Sequence, residues 1–229
     1  LLRLLDSQCG SIIVDGIDTS NIHKTYLRRH CYITVPQDPF ILTSATLRFN
    51  LDPDETMPAT TLIHALEKTG LWKHFHHFSK LGHQGLLLSD EALLDLPMSS
   101  LPPLSAGQLQ LLSLSRALAH AQAVSDSTFC NLYTTPSPEK RKPIVLLDEA
   151  TSAMDPDTDG LMQDVIEEEF TRKGYTVILV AHRVSNIVKG FRDGVDAVVW
   201  MAEGRIERVA HTQQDAGLGS EDGGEEGST

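Results

Sequence analysis

The sequence predicts an α/β fold built on a parallel sheet, and three observations carry that expectation. Ile144-Val145-Leu146-Leu147 and Thr176-Val177-Ile178-Leu179-Val180-Ala181 are short, unbroken apolar runs, the pattern of strands buried on both faces of a parallel sheet. Between them Leu161, Met162, Val165 and Ile166 recur at helical spacing. Both runs stop at ionisable residues, Asp148-Glu149 and His182. Those groups would then share the carboxyl rim, where open α/β sheets place their ligands.

The elements follow in chain order. Leu1 to Leu5 reads as the end of an apolar helix without a start, closed by Cys9-Gly10, so the chain is expected to begin inside an element. Ser11 to Val14 reads as a strand, Asp15-Gly16 as a hairpin turn and Ile17 as the return. Asn21 to Arg29 suits a short helix capped by Ser20. Tyr32 to Val35 is a strand that Pro36-Gln37-Asp38-Pro39 stops, and Ser44 to Leu51 is a loop or short helix. Pro58 to Thr69 is a helix through Leu62, Ile63 and Leu66, with Gly70 as its stop. Trp72 to His83 carries His74, His76, His77 and His83 without a carboxylate or cysteine at ligand spacing, so it reads as a solvated, partly helical face rather than a metal site. Gly82 to Pro103 is loop-rich.

Leu104-Ser105-Ala106-Gly107-Gln108 opens a strong helix over Leu109 to His120, and the polar stretch Gln122 to Lys142 reads as an inserted surface loop. Asp155 and Pro156 are the cap and first residue of a helix running to Phe170, with Glu167 to Glu169 outside and Gly174 at its end. Asp196 to Met201 and Arg205 to Ala210 pair through Glu203-Gly204.

Bulk properties narrow the function classes. The net charge is -12, but five acids and no base lie in the Gly- and Ser-rich stretch from Thr212 onward, which leaves the body at -7. That tail has too little apolar content to pack and is expected to be disordered. An acidic body without a basic stripe argues against nucleic-acid binding. Three scattered cysteines argue against a disulfide framework and favour a reducing compartment. No apolar run approaches the roughly 18 residues of a membrane span.

The chemistry-bearing residues are read from their places on these elements. Two carboxylates at a strand tip suit a hard cation: Asp148 can hold Mg²⁺ while Glu149 orients or deprotonates a water, the Walker-B arrangement of a nucleotide hydrolase. Gln37, just past a strand tip, can reach a metal or a water. Ser105 and Gly107 at a helix start offer a hydroxyl, free N–H groups and close backbone approach, which is anion-site chemistry. The bland readings are an acidic turn, a surface amide and an ordinary capped helix.

The joint order of these motifs is more specific than any one of them. A V-P-Q-D-P loop, an L-S-x-G-Q helix start, an apolar strand ending D-E with S-A-x-D behind it, and a strand ending in His together resemble the nucleotide-binding domain of ABC transporters. The resemblance spans essentially Leu1 to Ala210, and I-T-V-P-Q-D-P and L-R-F-N-L-D-P look like the second such domain of the multidrug-resistance-associated (C) subfamily. It implies a P-loop NTPase-like (RecA-like) core with an antiparallel β-subdomain and a helical signature subdomain. On this sequence the domain covers 1–211, with the helical part near 55–120, the inserted loop near 121–142 and the disordered tail over 212–229.

The resemblance also implies ATP and Mg²⁺ as cofactors. Gln37 would contact Mg²⁺ or the attacking water, Asp148 would hold the metal, Glu149 would be the general base and His182 the switch histidine near the γ-phosphate. Ser105, Ala106, Gly107, Gln108 and Asp155 would bind nucleotide across a dimer. The implied partners are a second nucleotide-binding domain, paired head to tail, and membrane-spanning domains, which put the chain at the cytoplasmic face of a membrane.

The departures bear on activity. G-x-x-x-x-G-K-[ST] occurs nowhere, and no Lys follows a Gly, so the phosphate cradle is absent from these residues. In the family that loop precedes the helix whose end Leu1 to Leu5 would be, so the chain reads as amino-terminally truncated. Ala106 stands where the family usually has Gly. The expectation is a domain of an ATP-driven exporter that is inactive alone; the alternative is a non-catalytic module that offers its signature face to a partner domain.

Overall fold

The computed structural model describes residues 1–5, 9–82, 89–126, 142–150, 154–181 and 191–217. The chain divides into two units, Leu1–Ala181 and His182–Thr229.

The centre of the first unit is a parallel sheet of three strands in the order β3 (Tyr32–Val35), β4 (Ile144–Asp148), β5 (Val177–Val180). Tyr32 pairs with Ile144 and Val35 with Leu147; Val145 pairs with Val177 and Asp148 with Val180. Successive side chains of a strand point to opposite faces, and this register puts Ile33, Val35, Val145, Leu147, Val177 and Leu179 on one of them. That face packs into the main core with Leu47, Leu62, Phe75, Leu112 and Met162.

The opposite face is covered less. Tyr32, Ile144 and Leu146 meet Ile22, Leu27 and Leu2, but Ile178 and Val180 of β5 are 36% and 52% exposed. The expectation of double burial for Thr176 to Ala181 is therefore corrected. Among the described residues β5 is an edge strand, and the amino-terminal segment that roofs β3 and β4 does not bury its outer face.

That roof is itself a correction. Leu1 to Leu5 is not helical; Leu4 and Leu5 are exposed. Arg3 donates to the carbonyls of Thr19 and Ile22 at 2.9 and 2.8 Å, and Arg28 donates back to those of Leu2 and Arg3. Carbonyl groups engaged by guanidinium groups are not available to a helical ladder. The hairpin β1 (Ile13–Val14) and β2 (Ile17–Asp18) follows as expected, with both turn residues Asp15 and Gly16 at positive φ, as a two-residue hairpin turn requires. Asp18 caps a 3-10 turn, Thr19–Asn21, its side chain accepting from Ser20 N, and Ser20 does not cap the helix that follows, whose N-cap is His23. The expected single helix is α1 (Lys24–Tyr26) followed by a π-helical turn, Leu27–Cys31.

Helices α2 (Leu47–Leu51), α3 (Ala59–Lys68), α4 (Leu71–Gly82), α5 (Asp90–Leu94) and α6 (Ala106–Asp126) lie between β3 and β4. Thr46 caps α2 through Phe49 N, and Gly70 takes the left-handed conformation that ends α3. On α4, Phe75 is fully buried, so that stretch turns one face to the core; His83 lies outside the described residues. α6 runs to Asp126, into the stretch expected as loop, and 127–141 lie outside the description.

Helix α7 (Pro156–Ile166) starts on Asp155 and Pro156 as predicted and continues through a π-helical turn, Glu167–Thr171. Within that turn Glu169 is not outside as expected but buried. Its carboxylate is taken by Lys68 of α3 at 2.7 Å and by Lys173. Burial by itself would raise the Glu169 pKa, and the hydrogen bonds from Lys173 and Lys68 hold it below its ordinary value.

The second unit is a hairpin of β6 (Val198–Ala202) and β7 (Arg205–Ala210), turning at Glu203 and Gly204 with positive φ. A short helix α8 (Gln213–Ala216), capped by Thr212, follows within the stretch expected to be disordered; 218–229 lie outside the description. No helix among the described residues is long and apolar enough to cross a membrane.

Candidate functional site

The site grows from the register of the parallel sheet. Val35 sits opposite Leu147, so the residues two positions beyond this pair, Gln37 and Glu149, emerge side by side at the carboxyl edge. Gln37 Nε2 donates to Glu149 Oε2 at 3.0 Å. Glu149 has φ +45°, a conformation that costs a non-glycine residue roughly 1–3 kcal/mol and persists only where the surroundings hold it. Its backbone N–H donates to Val180 O at 2.9 Å, which ties the turn to β5. Asp148, the last residue of β4, is exposed.

The first two turns of α6 abut this edge. Gln110, 5% exposed, donates from Nε2 to the carbonyl of Gln37, while its Oε1 is buried and lacks a hydrogen-bond partner. Further along the same helix Arg116 donates to Asn50 O at 2.7 Å and to Phe40 O at 3.3 Å; burial pushes its pKa down. Asn50 in turn bonds both Leu42 N and Leu42 O. The loop after β3 is thus pinned from two helices. Sequence reading missed Gln110, Arg116 and Asn50. The available signal was three polar side chains on otherwise apolar helix faces.

The helix start itself is a reciprocal capping box: Gln108 N donates to Ser105 Oγ at 3.2 Å, and Ser105 N to Gln108 Oε1 at 3.0 Å. Ser105 and Ala106 are exposed, Gly107 is buried. A Cβ on Gly107 would stand 3.0 Å from Thr158 Cγ2 of α7, so the close approach expected of this glycine is made by the chain's own next helix. Thr158 is fixed by Asp155, whose carboxylate accepts from Thr158 N at 3.0 Å and from its hydroxyl at 2.8 Å. These bonds, the backbone one first, hold the Asp155 carboxyl below its ordinary pKa.

The structure therefore gathers Gln37 with Glu149 and joins Gly107 to Asp155 through Thr158, with the start of α6 between the two sets. His182 lies outside the described residues. Gln37 uses its amide N–H on Glu149, which leaves its carbonyl oxygen as an acceptor. With the oxygens of Asp148 and Glu149 this is the donor chemistry a hard divalent cation takes. No cluster of three His, Cys, Asp or Glu side chains able to hold a metal occurs among the described residues.

No protein-family model matches the chain. Known proteins do. The chain is 36% identical over 206 residues to the human ATP-binding cassette sub-family C member 2, a match covering 90% of this chain and 11% of that protein. It is 31% identical over 214 residues to an ABC-type transporter of Gibberella zeae, covering 93% and 12%. Multidrug resistance protein mrp-7 of Caenorhabditis elegans is 35% identical over 188 residues, covering 82% and 10%. The chain spans about one-eighth or less of the length of these relatives.

Proposed function

From a chain homologous over about nine-tenths of its length to ABC transporters, members of sub-family C among them, we infer that its part in a transporter is that of a nucleotide-binding domain. That homology implies a P-loop NTPase-type fold, which agrees with the mixed α/β architecture and its parallel sheet. The finer division, into a RecA-like core, an antiparallel β-subdomain and a helical subdomain carrying Leu104 to Gln108, is part of the proposal. The observation that carries it is the Gln37–Glu149 hydrogen bond at the carboxyl edge.

In this reading Asp148 and the Gln37 carbonyl hold Mg²⁺, Glu149 is the general base and His182 faces the terminal phosphate. Ser105, Ala106, Gly107 and Gln108, with Asp155, meet a nucleotide carried by a second domain. The oxygen donors present fit a magnesium ion. For the triphosphate the residues present do not suffice, because these 229 residues contain no G-x-x-x-x-G-K-[ST] loop. P-loop catalysis rests on positioning and charge stabilisation, so no chemical step is assigned to this chain by itself. Membrane-spanning domains and a second nucleotide-binding domain are the proposed partners, at the cytoplasmic face of a membrane.

The test is ATP turnover by the 229-residue chain in Mg²⁺. The expected result is none above buffer. Turnover that Glu149→Gln abolishes would overturn the assignment of the phosphate cradle to residues outside this chain.

A second reading is favoured by the exposed Ser105 and Ala106 on a capped helix start: a non-catalytic module that offers this face to an intact partner domain. Capture of an isolated intact domain, with and without ATP, separates the two. Failure to bind in either condition removes the module reading.

A further inference from the structure

A cavity of about 550 Å³ opens in the first unit, away from the residues of the candidate site. It is bounded by Lys142, two residues ahead of β4, and by Tyr175, two ahead of β5. It therefore lies at the amino edge of the sheet, whereas Asp148 and Glu149 leave from the carboxyl edge. A five-residue strand separates the two by roughly 16 Å.

Its walls divide by chemistry. Ala65, Leu118 and Ala121 form a buried apolar floor, and the Tyr175 ring flanks it. Lys68, Lys142 and Lys173 stand at the rim, exposed. Glu169 is the one acid in the lining and is saturated: Lys68 takes one oxygen and Lys173 the other. Glu168, outside the lining, also acts on Lys68. Lys142 lies 5.2 Å from the centre of the Tyr175 ring and donates to Lys173 O. Three ammonium groups against one engaged carboxylate form a cationic rim on a chain whose net charge is -12.

We propose that this cavity binds a small amphipathic organic anion, with its apolar body on the alanine and leucine floor against Tyr175 and its carboxylate or sulfonate among the lysines. The volume lies within the usual range for small-molecule sites, which combine an apolar lining with a few placed polar groups. Charge makes an anion the preferred occupant over a neutral or cationic ligand of the same shape. The buried floor selects against a bare inorganic anion, which could not use it. The assignment does not depend on the nucleotide reading, because none of the lining residues belongs to that site.

The probe is 1-naphthoate, titrated into the full 229-residue chain and followed by amide chemical shifts. The expected result is saturable shifts at Ala65, Leu118, Ala121 and Tyr175, with Gln37 and Glu149 unmoved. The neutral 1-naphthamide and inorganic phosphate should each bind at least about tenfold more weakly, a difference of about 1.4 kcal/mol. Lys142→Met should weaken naphthoate severalfold, and Lys142→Glu more; Lys142 is exposed, and an unchanged amide spectrum in the free variants shows that they remain folded. Equal binding of naphthamide would overturn the charge argument, phosphate binding as tightly as naphthoate would overturn the amphipathic one, and absence of saturable shifts would remove the site.

Discussion

The two edges of the parallel sheet treat a carboxylate in opposite ways. At the amino edge Glu169 is 9% exposed and clasped by two lysines. At the carboxyl edge Glu149 is only half-buried and takes a hydrogen bond from the neutral amide of Gln37. An acid neutralised by fixed ammonium groups holds α3 against the end of α7 and stabilises the fold. At the other edge the hydrogen bond to Glu149 comes from an amide, at a turn whose positive φ is held by its surroundings. The contrast teaches that proximity of acids to a sheet edge says little until the partner of each is known.

The comparison is broken most readily at the amino edge. Glu169→Ala leaves Lys68 and Lys173 without their shared partner and should cost about 2–3 kcal/mol. That is less than for a fully buried pair, because both lysines can hydrate; urea unfolding monitored by circular dichroism measures it. The effect depends on pH in a fixed direction. The Glu169 pKa is depressed from 4.5, so its contribution is present above the unfolded value and is lost as pH falls through the folded one. The stability gap between wild type and Glu169→Gln should therefore be full near neutrality and should close below about pH 4.5. A gap that widens on acidification contradicts the ion-pair account.

The next largest effect is expected where α6 meets α7. Gly107→Val must push a side chain into Thr158, which Asp155 fixes; overpacking of this kind costs about 1–2 kcal/mol. The same denaturation experiment reads it, and a double variant with Thr158→Ser should recover most of the loss. The smallest effect belongs to Glu149→Gln. That change keeps the size of a half-buried side chain and an oxygen to accept from the Gln37 amide, so stability should move by less than about 1 kcal/mol. A loss as large as that of Glu169→Ala would erase the distinction between the edges.

Much of this arrangement is legible in the sequence, for identifiable reasons. Strands β4 and β5 of the parallel sheet follow from unbroken apolar runs, and Asp15-Gly16 and Glu203-Gly204 announce their hairpins by turn chemistry. Asp155-Pro156 announces α7 in the same way. Gln37 and Glu149 meet because a parallel register carries two strand tips forward together, which local pattern already implies.

What was not legible depends on distance along the chain. Glu169 sits in a run of three acids that reads as solvated, and only the fold brings Lys68 to it from about a hundred residues away. An apolar run cannot reveal whether one face or two will be covered, so Ile178 and Val180 read as core although they are exposed. Leu1 to Leu5 has the composition of a helix, but Arg28 takes the Leu2 and Arg3 carbonyls, the Arg3 side chain reaches across to Thr19 and Ile22, and the Arg3 backbone sits at positive φ. Gln110 and Asn50 look like incidental polar residues until their partners, Gln37 and Leu42, come within reach.

Central to the proposal is that the carboxyl edge, with Gln37, Asp148 and Glu149, is where a divalent cation would bind. Paramagnetic broadening by Mn²⁺, used in place of Mg²⁺ on the full chain, tests it most directly. Selective loss of the amide signals of Gln37, Asp148 and Glu149, diminished in Asp148→Asn, is the predicted result. Broadening centred instead on Glu169 and Lys173, or spread evenly over the exposed acids, would contradict it.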